Sequence, residues 1–239
     1  MDKLKITMEL ELDINDILNL DNFSGKVPIF PLSNVVLFPN VLLPLHIFEN
    51  RYRKMLKDAL EGEKIITMAL LKPGWETQYF NNPQIFDIAC MGRIVSTENM
   101  PDGRSNIVLY GLKRVKLEEI EVDYPYRMAN VSIKEDIIDG NEEIYRKHLE
   151  ELLNKWNNTL GEDQKDHRIE INTALGLDRL TDSLASLVVS NIFDRQSLLE
   201  EQNAVRRAEM IIDYIQTRLD IVNYTSAIRE DIIEKRSLN

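Results

Sequence analysis

The fold is indicated most clearly by residues 27–53, Val27-Pro-Ile-Phe-Pro-Leu-Ser-Asn-Val-Val-Leu-Phe-Pro-Asn-Val-Leu-Leu-Pro-Leu-His-Ile-Phe-Glu-Asn-Arg-Tyr-Arg53. Two short apolar runs, at 27–32 and 42–47, predict strands, and a proline-bounded loop separates them. Residues 49–60 follow with one apolar face at helical spacing, and Gly62 is a predicted helix stop. This stretch therefore predicts a strand–loop–strand–helix unit.

More short strands are predicted downstream of this unit. The connection at 100–104 contains Pro101, which sets φ, and Gly103, which can take positive φ, so it predicts a tight turn. The predicted strands lie at 65–71, 86–97, 105–110, 113–122 and 127–135. Short strands with a single helix predict a small, partly closed β barrel over residues 26–135.

The hydrophobic period changes to a helical one after Gly140. One amphipathic helix is predicted to end near Gly161, and a second is predicted around residues 180–188. A long last helix is predicted from about Gln196, because its apolar side chains recur in steps of three and four. Those positions are Val205, Ala208, Ile212, Ile215, Leu219 and Val222. The predicted fold class is α+β, with the β barrel followed by a C-terminal helical bundle over residues 136–239.

Residues 1–25 form an N-terminal extension before the first predicted strand. Apolar residues alternate with polar ones from Ile6 to Ile14, which indicates a strand. From Ile14 the apolar residues shift towards helical spacing, through Ile17 and Leu18 to Leu20. Either element is expected to cover an otherwise open edge of the sheet.

Charge and cysteine content limit the classes of partner and compartment. The net charge is −11, and residues 136–239 carry 13 Lys and Arg against 21 Asp and Glu. A general binder of phosphate backbones needs clustered basic residues, so nucleic acid is disfavoured as a partner. Cys90 is the single cysteine, which excludes an intramolecular disulfide and fits a reducing compartment. The extension lacks the order of a signal peptide, and no apolar run approaches the ~20 residues of a membrane helix, so we expect a soluble, cytoplasmic protein without membrane contact.

The sequence gives no sign of catalytic, cofactor or metal chemistry. The glycines form neither a dinucleotide fingerprint nor a phosphate loop, and no serine lies in a Gly-x-Ser-x-Gly elbow. Each histidine has a glutamate three residues on, but a metal site needs three or four converging ligands. The pairs are His46 with Glu49, His148 with Glu151, and His167 with Glu170. A structural or solvated role is favoured for each, and a non-enzyme without cofactor or metal is predicted.

The apolar stretch at 35–47 has two interpretations. In the first, most of its residues belong to a buried pair of strands. In the second, Phe38, Pro39 and Leu42 lie on an exposed loop and form a hydrophobic contact patch. Contiguous exposed apolar groups on a soluble protein usually mark a partner surface.

A second candidate surface is the loop that contains Trp75, Tyr79 and Phe80. These aromatic residues either cap the barrel or form part of a binding groove, and aromatic side chains supply large contact area at a low entropy cost. Leu45 and Phe48 flank the predicted strand-to-helix junction. We predict that both are buried structural residues rather than ligand contacts.

The spacing of the prolines in the first stretch, together with the residues after them, resembles the opening of the substrate-recognition N-terminal domain of Lon proteases. The positions are Pro28, Pro31, Pro39, Pro44, Leu45, Phe48, Glu49, Arg51 and Tyr52. Later blocks follow in the same order, and the similarity extends from residue 26 to about 222. These blocks are 92–94, 101–104, 111–114, 179–186, 195–200 and Arg206.

The resemblance implies a PUA-like β barrel followed by a helical bundle. It also implies recognition of unfolded or degron-bearing polypeptides without catalysis, with a separate protease or other protein as a further partner. The ATPase and protease parts of Lon have no counterpart in this sequence, so a standalone recognition module is expected. The alternative is an RNA-binding protein, since PUA-like barrels in other families bind RNA; the acidic charge balance disfavours it.

Overall fold

A computed structural model describes residues 14–77, 82–160, 168–170, 172 and 175–237. Two compact units make up the chain, and the boundary between them falls after Glu135 in the sequence. The predicted strand near Ile6, and the loop residues Tyr79 and Phe80, lie outside the described residues.

The first unit contains the predicted strand–loop–strand–helix opening and the strands after it. Its elements are α1 Ile14–Leu18, β1 Lys26–Leu32, β2 Leu42–Ile47, α2 Asn50–Glu61, β3 Ile65–Leu70, β4 Ile88–Asn99, β5 Ser105–Ile120 and β6 Arg127–Lys134. One prediction is wrong in detail: the two strands expected at 105–110 and 113–122 are a single strand, β5. Gly111 does not interrupt it, because its backbone stays in the ladder with β4 opposite Gly92.

The six strands form one mixed sheet, and the α+β class is confirmed. β1 pairs in parallel with β3, and β3–β4, β4–β5, β5–β6 and β6–β1 are antiparallel, so the pairings return to their starting strand. β2 stands outside this closed circuit and pairs only with the first half of β5, from Leu42 opposite Tyr110 to Ile47 opposite Ser105. β2 is therefore the edge strand of the sheet.

The main core cluster is built from alternate residues of the paired strands. Val27, Ala89, Val115 and Ala129 are fully buried within it, together with Met91. Because successive side chains of a strand point to opposite faces, alternate residues such as Ala89 and Met91 of β4 enter this cluster. α2 packs against β1 and β3 through Tyr52, Met55, Leu56 and Ala59.

The described end of the N-terminal extension, residues 15–25, packs onto this core. Ile17 of α1 belongs to the core cluster, and Leu18, Leu20 and Phe23 pack against it. Arg93 donates from Nη2 to the carbonyl oxygen of Asn19 at 2.6 Å and from Nη1 to that of Asp16 at 3.4 Å. These bonds satisfy carbonyl groups at the end of the short helix.

The loop between β1 and β2 is folded back onto β5, which corrects the expectation of an exposed patch. Phe38 has no exposed surface and Pro39 is buried. Asn40 N–H donates to the carbonyl oxygen of Gly111 at 2.8 Å, and Gly111 N–H donates to that of Val41 at 2.9 Å. A Cβ at position 111 would lie 2.0 Å from the carbonyl oxygen of Phe38, so only glycine allows this close approach.

The second unit is helical, as predicted, but its last part is divided. Its helices are α3 Glu142–Thr159, α4 Leu177–Val188, α5 Ile192–Glu200 and α6 Ala204–Ser237. The single helix expected from Gln196 is two helices, because the Asn203 side chain accepts from the N–H of Val205 at 2.9 Å and of Arg206 at 3.3 Å and so starts a new one. The apolar positions used for the prediction begin only at Val205, and residues 200–203 are all polar, so the apolar pattern did not locate the break.

Arg207 holds the start of α6 against α4. Its side chain is fully buried, and Nη1 lies 2.7 Å from Asp136 Oδ1 while Nε lies 3.6 Å from Asp182 Oδ1. It also donates to Thr181 Oγ1 at 3.1 Å and to the carbonyl oxygen of Glu201 at 2.9 Å. A buried guanidinium is tolerated only with such a set of acceptors, so this cluster fixes the packing of the two helices.

We predict that Gly111→Ala lowers the free energy of unfolding by about 2 kcal/mol or more, because the added methyl group forces the Phe38 backbone away from β5. Lys116→Ala, at an exposed position on the same strand, is the control and is expected to change it by less than about 0.5 kcal/mol. Urea unfolding measures both. Equal stability of the two variants would contradict the close packing of the loop on β5.

Candidate functional site

The alternation of β2 places an aromatic side chain outside the core. Leu45 is half-buried and Ile47 is 1% exposed, whereas Pro44 and His46, on the opposite face, are exposed. Phe48 continues the outward phase and is 59% exposed. The prediction that Phe48 is buried is therefore wrong, because Ile47 takes the core position at the strand-to-helix junction.

The junction that carries Phe48 is held by the first turn of α2. The Glu49 carbonyl oxygen accepts from the N–H of Tyr52 at 3.0 Å and of Arg53 at 2.9 Å. Arg51 Nε donates to Glu49 Oε2 at 3.0 Å, and the Arg51 guanidinium lies 4.6 Å from the centre of the Tyr52 ring. These contacts fix the backbone next to Phe48, so its exposed ring projects from a rigid support.

A cleft of about 370 Å³ opens beside Phe48, and we name it the apolar groove. It is lined by residues 30–33 at the end of β1, residues 45–49, Tyr52, Leu71 and Trp75. Its deeper residues, such as Ile47 and Leu71, are buried core residues, whereas the Phe48 ring is accessible to solvent. Preformed, largely apolar concavities of this kind are typical of binding sites.

Trp75 reaches the groove from a short 3₁₀ turn, Trp75–Thr77. Gly74 precedes the turn with φ of 91°, and the Thr77 hydroxyl donates to the Gly74 carbonyl oxygen at 3.1 Å. The Trp75 side chain is half-buried, packs against the main core cluster and also lines the groove. Of the two roles considered for it, capping the core is therefore observed, and ligand contact remains a prediction.

The other predicted site residues that the structure describes do not line the apolar groove. Phe38 and Pro39 are buried against β5, and Leu42 is half-buried without lining the groove. Among the predicted binding residues that the structure describes, Trp75 alone lines the apolar groove. Tyr79 and Phe80 lie outside the described residues.

The groove suits the binding of apolar side chains better than acid–base chemistry. Glu49 is the one carboxylate among its lining residues, and it is engaged with Arg51. His46 Nδ1 is hydrogen-bonded to Asn106 Oδ1 at 2.8 Å. Throughout the described ranges, no group of three His, Cys, Asp or Glu is arranged to hold a metal ion. None of the described helices is long and apolar enough to span a membrane.

Comparison with known proteins gives the family. The family model described as the ATP-dependent protease La (LON) substrate-binding domain matches residues 26–217. The chain belongs to the Lon substrate-binding domain family. The matched range contains every residue that lines the apolar groove.

Curated Lon proteases are similar to this chain over part of their own length. The Lon protease of Cytophaga hutchinsonii is 27% identical over 95% of this chain, and the match covers 28% of that protein. The Lon protease of Dictyoglomus thermophilum is 26% identical over 86% of this chain, and the match covers 26% of it. The chain thus spans little more than a quarter of these relatives.

Solved structures of Lon N-terminal domains share the fold. The N-terminal domain of Mycobacterium avium complex Lon protease matches 80% of this chain and 98% of its own, with a TM-score of 0.59 and 15% identity. A Lon N-terminal domain protein from Xanthomonas campestris matches 79% of this chain and 98% of its own, with a TM-score of 0.56 and 21% identity.

Leu45 and Phe48 are the groove residues that were assigned to the core from sequence. Phe48 follows Ile47 in the chain and therefore takes the opposite phase in the strand. Which of the two side chains faces the core is set by the pairing of β2 with β5, so the sequence pattern alone did not decide it.

We predict that Phe48→Ser changes the free energy of unfolding by less than about 0.5 kcal/mol, as expected at an exposed position. Phe38→Ala, which removes a fully buried ring, is expected to cost about 3–5 kcal/mol. Chemical denaturation measures both variants. A loss of more than about 2 kcal/mol for Phe48→Ser would show that the ring supports the core.

Proposed function

We propose that this protein is a non-catalytic polypeptide-binding module that holds apolar segments of unfolded or degron-bearing chains in the apolar groove. The observation that carries the proposal is the exposed Phe48 ring beside a groove with a buried apolar floor. Exposed apolar surface costs solubility unless a partner covers it, and a rigid support lowers the entropy cost of binding. Membership in the substrate-binding domain family supports the same activity.

Side-chain burial rather than strand pairing supplies the affinity in this proposal. β2 is the edge strand, but Pro44 in its centre lacks the N–H that an added strand would need. Burying one large apolar side chain is worth about 1.5–3 kcal/mol, and immobilising the segment offsets part of that. Two or three buried side chains supply about 3–9 kcal/mol before that offset, so a micromolar dissociation constant, about −8 kcal/mol, is expected only when three large side chains are buried.

The cellular role that fits this binding is protein quality control or the targeting of proteins for proteolysis. The similar proteins are Lon proteases, and we include a protease among the partners in the proposal. Cys90 is buried and is the single cysteine of the sequence, which supports a reducing, cytoplasmic compartment. Neither the family model nor the matched relatives support the RNA-binding alternative.

The test measures binding of fluorescent apolar peptides and of a permanently unfolded, reduced and carboxymethylated protein by fluorescence anisotropy. Phe48→Ser combined with Trp75→Ser is expected to weaken binding at least about tenfold, because each removed ring carries about 1–2 kcal/mol of buried contact. Binding of the unaltered protein is expected in the micromolar range.

Tyr224→Ser is the matched control. Tyr224 is an aromatic residue on α6 that is 70% exposed and does not line the groove, so its loss is expected to leave binding within about twofold. Thermal melts of all variants check that the fold is intact. If no polypeptide binds at high micromolar concentration, or if the control and the groove variant bind equally well, the proposal fails.

A further inference from the structure

A second cleft adjoins the apolar groove. It has a volume of about 460 Å³ and shares Pro31 and Tyr52 with the groove, so the two concavities meet at these side chains. The remainder of its lining comes mainly from residues 119–122 and 124–127, at the end of β5 and before β6. We name it the tyrosine cleft.

The tyrosine cleft presents a fixed aromatic face. The rings of Tyr124 and Tyr126 are stacked with centroids 5.2 Å apart and planes within 1°, and Tyr124 is 52% exposed. Tyr126 is buried and donates to Asp58 Oδ2 at 2.8 Å. Burial and the Asp58 carboxylate raise the pKa of Tyr126, so its hydroxyl stays protonated and the stack stays anchored to α2.

The charges around this face leave an excess of carboxylates. The two arginines that line the cleft and the neighbouring Lys54 are each paired with an acidic side chain. These pairs are Arg51–Glu49 at 3.0 Å, Arg127–Glu119 at 2.6 Å, and Lys54–Asp58. Within the described part of the chain, Glu121 in the lining and Asp123 beside Tyr124 form no ion pair, and both are exposed. An exposed aromatic face next to uncompensated carboxylates is complementary to a cation.

We propose that the segment bound by this protein combines an apolar side chain in the apolar groove with a lysine or arginine in the tyrosine cleft. The inference rests on the proposed function and specifies its substrate class: apolar residues closely followed or preceded by basic ones. The cation stacks on Tyr124 and is attracted by Glu121 and Asp123, while the apolar side chain is buried beside Phe48. Acidic flanking residues are repelled from the same position, so the cleft discriminates by charge.

The test compares three sets of fluorescent peptides that share one apolar anchor side chain and differ only in the residues that flank it. The flanking pairs are Lys in the first set, Gln in the second and Glu in the third. Within each set the pairs lie on either side of the anchor, with spacers of one to five residues. The Lys peptide is expected to bind about fivefold to tenfold more tightly than the Glu peptide at low salt, with the Gln peptide between them. At 1 M salt the Debye length falls to about 3 Å. The ratio of the affinities for the Lys and Glu peptides is therefore expected to fall to about twofold.

Variants of the cleft identify the source of the preference. Glu121→Gln combined with Asp123→Asn is expected to reduce the difference between Lys and Glu peptides to below about twofold, without weakening the Gln peptide. Tyr124→Ser is expected to weaken the Lys peptide alone. Glu118→Gln is the matched control, because Glu118 is exposed on the same strand but does not line the cleft, and the preference should be retained.

The outcomes separate this inference from the proposed function. Equal affinity for all three peptides, or a preference unchanged in the Glu121→Gln/Asp123→Asn variant, overturns the inference and leaves apolar binding intact. Failure of the Gln peptide to bind, or its insensitivity to Phe48→Ser, overturns the proposed function itself. A charge preference that disappears in the double variant and survives in Glu118→Gln supports the inference.

Discussion

The register of β2 on β5 is the constraint on which the candidate site depends. With Leu42 opposite Tyr110 and Ile47 opposite Ser105, Ile47 enters the core and Phe48 is left on the outside. A slip of one residue would exchange the two faces of β2, bury the aromatic ring and remove the exposed side of the apolar groove. The loop packed against Gly111 leads into β2. It helps to fix that register, because the backbones of Asn40 and Val41 are hydrogen-bonded to the Gly111 backbone.

Local patterns predicted most of the fold. The strands at 27–32 and 42–47, the helix after them and the turn at Gly103, where φ is 83°, all follow from period and turn chemistry, and the structure has them. The features of the fold that local patterns did not predict depend on contacts between residues far apart in the sequence. Nothing local shows that Gly111 accepts the Phe38 backbone, or that β5 runs unbroken through it. The break before α6 was missed because the apolar positions that predicted the helix begin only at Val205, after the polar residues 200–203.

The candidate site was predicted less well than the fold, for a related reason. Apolar residues near a strand end can face either way. The structure buries Phe38, which one of the two interpretations had placed on an exposed loop, and exposes Phe48, which was predicted to be buried. Trp75 was identified because three aromatic residues in a polar loop are unusual. The tyrosine cleft was not identified at all, since Tyr52, Tyr124 and Tyr126 come from distant positions and are brought together by the pairing of β1 with β6 and the packing of α2.

The proposed module relies on a division between a rigid floor and an accessible rim. Core residues such as Ile47 and Leu71 form the floor of the apolar groove. Their burial is already required for the fold, so forming the floor adds no free-energy cost. Phe48 can then be varied with little effect on stability while changing what is bound, whereas Trp75 also packs against the core cluster. This separation of stability from binding is what a recognition domain needs when its ligands are unfolded chains of varied sequence.

The most direct test is to locate a bound polypeptide by photo-crosslinking. A peptide with benzoylphenylalanine at the apolar anchor position is bound to the protein and irradiated, and the modified residues are identified by mass spectrometry. The account predicts crosslinks concentrated at residues 30–33, 45–49 and 71–75, and a large loss of yield in the Phe48→Ser variant. Crosslinks concentrated on the helical unit at 136–237, with a yield unchanged by Phe48→Ser, would contradict it.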